Sequence, residues 1–73
     1  MKYQAIYTDS NNASNTHTLT AKSLQGAKRQ ATHAAPAMTN ILLIQDDYPA
    51  ARRLSWQNPN GNFGLHPWEP YNN

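Results

Sequence analysis

Between Ser23 and Pro36 the chain carries a helical apolar period with a start signal at one end and a stop signal at the other. Its remaining apolar stretches are short or alternating, so the fold is limited to one helix set among strands. Ser23 precedes the first apolar helical position and can accept a hydrogen bond from a first-turn N–H, which makes it the N-cap. Pro36 closes the segment, because a proline disfavours the helical conformation at the residue before it. The spacing predicts a helix from Ser23 or Leu24 to about Ala35. Leu24, Ala27, Ala31 and Ala34 recur at intervals of three and four and form one stripe, with Gln25, Lys28, Arg29, Thr32 and His33 on the other side. No Asp or Glu occurs from Ser10 to Gln45, so Lys22, Lys28 and Arg29 have no local counter-charge. Gly26, costly inside a helix by about 1 kcal/mol relative to alanine, is expected at the closest approach of helix to sheet.

The flanking segments read as strands. Lys2 to Thr8 alternates Tyr3, Ala5 and Tyr7 against Gln4, Ile6 and Thr8, and both sets hold residues fit for burial, so the inward face stays open. Asp9 to Asn15 is a polar turn, and Thr16 to Ala21 resumes the alternation to complete a hairpin. Asn40 to Gln45 is a short branched apolar run that suits a central strand. Asp46-Asp47-Tyr48-Pro49 turns the chain, and Arg52 to Gln57 follows as a strand with Leu54 and Trp56 on one face. Asn58-Pro59-Asn60-Gly61 is a turn, with Asn-Gly suited to positive φ angles, and Phe63 to His66 pairs back. Pro67 and Pro70 remove donors around Trp68, so residues 67–73 are expected as a docked extended tail, with Trp68 as a staple at the core edge. The fold class is α+β, a small antiparallel sheet with one helix across it in the order ββαββ(β), in a single domain spanning 1–73.

At 73 residues, core packing is only marginally sufficient, and with no cysteine neither a disulfide nor a thiolate metal site can supplement it. Ile6, Leu19, Leu24, Met38, Ile41, Leu42, Leu43, Ile44, Leu54, Phe63 and Leu65 are the aliphatic and aromatic candidates for that core. Self-association is an open route to further burial. No apolar run approaches the length of a membrane span, and the first residues lack the order of a signal peptide, so a cytoplasmic protein is the expectation.

Catalysis is disfavoured by the inventory. The four acids are Asp9, Asp46, Asp47 and Glu69, and the adjacent pair falls at a turn, where carboxylates ordinarily shape the backbone. His17, His33 and His66 lie on separate elements without metal-ligand spacing, and no glycine-rich phosphate loop occurs. No catalytic residue, metal or cofactor is therefore assigned. The candidate partner-binding residues are Lys22, Gln25, Lys28, Arg29, Thr32 and His33. Lys28 with Thr32, and Arg29 with His33, are i,i+4 neighbours and project together. Arg52 and Arg53 point to opposite sides of a strand, so at most one joins that patch. Tyr3, Tyr7, Trp56, Trp68 and Tyr71 are read first as core or sheet cover and second as stacking platforms. A net charge of +2 and so small a patch allow only weak non-specific DNA binding by the isolated protein.

The segment Thr20-Ala21-Lys22-Ser23-Leu24, followed by Ala27-Lys28-Arg29 and Ala31, resembles small phage-borne proteins of the type I-F anti-CRISPR kind, over roughly the middle third of the chain. The resemblance implies inhibition without catalysis in the host cytoplasm. A basic face, rather than a mimic of DNA, would dock on the backbone subunits of a CRISPR surveillance complex where target DNA lies. It assigns Lys28 and Arg29 to contacts and matches Lys22, while His33 stands where the similar protein has lysine. The Asn58–Gly61 region and the proline-rich tail depart from the family pattern. The MKY-type first strand and ββα order also resemble HicB-like antitoxins and other small regulators that bind nucleic acid or a toxin. An accessory phage protein without a dedicated site is the third reading.

Overall fold

The structure is a computed structural model and describes residues 1–71. Eight elements follow one another: β1 (Tyr3–Thr8), β2 (Ser14–Leu19), α1 (Leu24–Ala34), β3 (Asn40–Gln45), β4 (Tyr48–Arg53), β5 (Ser55–Gln57), β6 (Phe63–Leu65) and β7 (Glu69–Pro70). Five strands form an antiparallel sheet in the order β2-β1-β3-β4-β7, and β5 with β6 forms a separate two-stranded sheet. The molecule is thus α+β with one helix over one face of the main sheet. β3 is its central strand, as its branched apolar run requires.

Ser23 caps α1 as expected, its hydroxyl accepting from the Gly26 N–H at 3.1 Å. The buried line of the helix runs through Ala27 and Ala31, both fully buried, and continues to Ala35, which packs against the core. These three are spaced by four, so Ala34 is on the flank of the i,i+4 row and is exposed, contrary to the expected stripe. Gly26 likewise does not meet the sheet. A Cβ there would sit 3.2 Å from Ser23 Oγ and 3.6 Å from Ala21 Cβ, so the missing side chain clears the helix cap.

The core consists of Tyr3, Ala5, Tyr7, Leu19, Ala27, Ala31, Ile41, Leu43 and Ala51. Tyr3, Ala5 and Tyr7 therefore decide the inward face of β1. Ile6, Leu42 and Ile44 lie half-buried on the opposite face, and Met38, Leu54 and Phe63 are exposed, against their expected place in the core. The alanine surface of α1 brings helix and sheet close together, and long tyrosines from β1 fill the space beside it.

Turns and strand ends differ from the expected boundaries for local reasons. β2 begins at Ser14, because Asp9 closes the preceding turn early: its Oδ1 accepts from the Asn11 and Ala13 amides. The β3–β4 turn is only Asp46-Asp47, with φ of 50° and 71°, leaving Tyr48 and Pro49 inside β4. Consecutive left-handed residues match the twist of a two-residue hairpin. The expected strand from Arg52 to Gln57 is broken at Leu54, where the chain leaves the main sheet to form β5. At Asn58–Asn62 only Gly61 takes positive φ, 86°, in a longer loop that Asn58 organises by accepting from the Asn60 and Asn62 amides. The tail is more than docked. Glu69 and Pro70 pair with Arg52 and Ala51, and the Tyr71 amide donates to the Ala50 carbonyl. Prolines are tolerated there because β7 is an edge strand. Asn72 and Asn73, the end of that expected tail, lie outside the described residues.

Candidate binding cleft

Beside the outer flank of α1 is an open cleft of about 420 Å3, lined by Gln25, Lys28, Arg29, Thr32 and His33 of the helix together with Arg53 and Trp68. Helical spacing brings the first five to one side, so five of the six expected partner-binding residues share a surface. Lys22, ahead of the cap, is exposed and is not among the lining residues. Arg53 and Trp68 are additions that only tertiary structure supplies. Arg53 alternates with Ala51 toward the helix-bearing face of β4, whereas Arg52 points away and pairs with Glu69, Nε to Oε1 at 2.6 Å.

Thr32 joins these pieces. Its hydroxyl donates to the Lys28 carbonyl at 2.9 Å and accepts from Arg53 Nη1 at 3.1 Å and from Trp68 Nε1 at 3.3 Å. Arg53 Nε is also committed, donating to the His66 carbonyl at 2.8 Å. Thr32 thus serves mainly to tie helix, sheet and tail together, a structural role that its helical position alone did not reveal. Trp68 packs against the core edge as the expected staple. Lys28, Arg29 and His33 carry no salt bridge among the described residues, and no carboxylate lines the cleft. His33, in the last turn of α1, sits near the negative end of the helix dipole.

Gln30 is a further residue whose role the helical pattern concealed. Its Oε1 accepts from the Thr20 and Ala21 amides, both at 3.1 Å, and its Nε2 donates to Thr20 Oγ1, fastening the helix to the end of β2. At the helix C-terminus the Tyr7 hydroxyl donates to the Ala31 carbonyl at 2.8 Å. That carbonyl lies in the last turn, where intrahelical partners run out, and the Ala35 amide turns instead to Thr32. Burial pushes the Tyr7 phenol above its ordinary pKa.

The acids occupy structural positions. Asp46 Oδ1 accepts from the Lys2 amide at 2.8 Å, Asp9 shapes the first turn, and Glu69 meets Arg52. His17 packs against Tyr7 with ring centroids 5.2 Å apart. Among the described residues no three His, Asp or Glu side chains gather into a metal-binding group, and no helix is long and apolar enough to cross a membrane. No protein-family model matches the chain, and no curated protein or solved structure is significantly similar to it.

Proposed function

We propose that this chain is a non-catalytic binding protein that acts by occupancy, seating an acidic surface of a partner protein in the basic cleft beside α1. The observation that carries the reading is the convergence of Lys28, Arg29, His33 and Arg53 on one cleft whose walls, among the described residues, hold no carboxylate. Long cationic side chains with no local counter-charge favour approach of a negative surface and set its orientation. Trp68 adds an amphipathic aromatic surface of the kind enriched in protein contacts. The Thr20–Ala31 segment's resemblance to type I-F anti-CRISPR proteins supplies a specific candidate: the backbone subunits of a type I surveillance complex.

The test is to mix the purified chain with a panel of type I surveillance complexes and follow target-DNA binding. Stoichiometric blocking that leaves DNA and guide intact, needs neither metal nor nucleotide, and disappears in Lys28→Glu/Arg29→Glu supports the proposal. No effect on any complex, together with tight and sequence-specific binding of an operator DNA, would replace it with the regulator reading.

A further inference from the structure

A second cleft, about 220 Å3, is formed where the β1–β2 turn, the loop ahead of β3 and strand β5 meet. Its apolar wall is made by Met38 and Trp56. Met38 takes the left-handed conformation, φ 59°, which glycine or asparagine adopts at lower cost, and 42% of its surface is left exposed. Trp56 is 39% exposed, and its indole lies across Gly64 of β6. A Cβ on Gly64 would come within 2.8 Å of Trp56 Cζ2 and 3.0 Å of Cε2, so the glycine is what makes room for the ring against the neighbouring strand.

Polar atoms surround this platform and are partly pre-ordered. Asp9 is fixed through Oδ1 by two turn amides, and Asn40 is fixed through Oδ1 by the Ser55 amide and hydroxyl at 2.8 and 3.1 Å. Among the described residues the other carboxylate oxygen of Asp9 and the amide nitrogen of Asn40 make no hydrogen bond, so the cleft offers one anchored acceptor and one anchored donor. The exposed Gln57 amide supplies both functions beside them. Among the described residues no Lys, Arg or His lines this cleft, in contrast to the first.

We infer that this second cleft is a saccharide-binding site, in which one neutral sugar ring lies on the Trp56 indole. Sugar C–H bonds carry partial positive charge and pack on the negative face of an indole, while ring hydroxyls can donate to Asp9 and accept from Asn40. A nucleotide would stack equally well but would bring phosphate to a cleft that has a carboxylate and no cation. The assignment is independent of the basic cleft and stands or falls separately from it.

The experiment is an NMR titration of the full chain with neutral mono- and disaccharides, following the indole N–H signals of Trp56 and Trp68, with a mononucleotide run in parallel. The expected result is saturable movement of the Trp56 signal and the Asn40 side-chain amide at millimolar sugar, with Trp68 unmoved. Asp9→Asn keeps a turn-capping oxygen while exchanging the free acceptor for a donor, and should weaken binding several-fold. Gly64→Ala should abolish binding by displacing the indole, with the spectrum of the α1 amides verifying the fold. The assignment is overturned if no sugar moves Trp56, if the response is unchanged in Asp9→Asn, or if the mononucleotide binds there more tightly than every sugar.

Discussion

The two faces of the main sheet both carry large aliphatic side chains and use them differently. Under α1, Tyr3, Ala5 and Tyr7 of β1 are 2%, 0% and 2% exposed and pack with Ile41 and Leu43. On the opposite face Ile6 stands across from Leu42 and Gln4 from Ile44, all half-buried, with the exposed Thr16 and Thr18 beside them. Aliphatic character alone would have sent Ile6, Leu42 and Ile44 inward. The helix decides otherwise, because Ala27 and Ala31 let its backbone come close and the Tyr7 hydroxyl can then reach the Ala31 carbonyl. An isoleucine in place of Tyr7 has no donor for that carbonyl. Burial in this molecule follows the shape and hydrogen-bonding needs of the single covering element.

The sharpest way to break that comparison is to truncate one leucine on each face. Leu43→Ala should lower unfolding free energy by about 2–5 kcal/mol through lost burial and a cavity, whereas Leu42→Ala should cost about 1 kcal/mol. Equal shifts in a urea titration would show that the faces are not distinct. Ala31→Leu comes next: overpacking the close contact should destabilise by about 1–3 kcal/mol, while Ala34→Leu, on the exposed flank, should stay within about 0.5 kcal/mol.

Tyr7→Phe sharpens the comparison by leaving the ring and removing the hydroxyl. Its expected cost is about 1–2 kcal/mol, since the Ala31 carbonyl loses its partner. The same group gives a pH signature. Its folded pKa is raised above the ordinary value of about 10, so its contribution is fully present below pH about 10 and is lost as pH rises through the folded pKa. Thermal scans should show an alkaline decline that is smaller in Tyr7→Phe, and identical declines would remove Tyr7 as its cause.

Thr32→Val, which leaves Arg53 and Trp68 without their shared acceptor, should cost about 1 kcal/mol and shift tryptophan emission to the red as the tail loosens. The smallest stability effect belongs to Lys28→Glu/Arg29→Glu, expected within about 0.5 kcal/mol because neither side chain is in the core. A large loss of stability in that variant would show that the basic flank is part of the fold rather than a surface free for a partner.

Local signals carried much of the architecture. Ser23 and Pro36 bounded the helix, the branched run Asn40–Gln45 marked the central strand, and helical spacing placed Gln25, Lys28, Arg29, Thr32 and His33 together, because each depends on near neighbours in the chain. Boundaries failed where residue type does not specify the local geometry, as with the Asp9 side chain closing its turn and the backbone of Asp46-Asp47 adopting two left-handed conformations.

What the sequence determined by itself was therefore the fold class, the order of the helix among its strands, and one basic helix flank. Only tertiary structure decided which face of β1 is buried, that Leu54 ends one sheet before a second begins, that Lys22 stands apart from the cleft, and that Arg53 and Trp68 complete it around Thr32. The physical reason is that periodicity records which residues share a side of an element, while the choice between sides depends on the shape of whatever packs there. Thr32 lies 21 residues from Arg53 and 36 from Trp68, and no local pattern encodes a hydrogen bond across such separations.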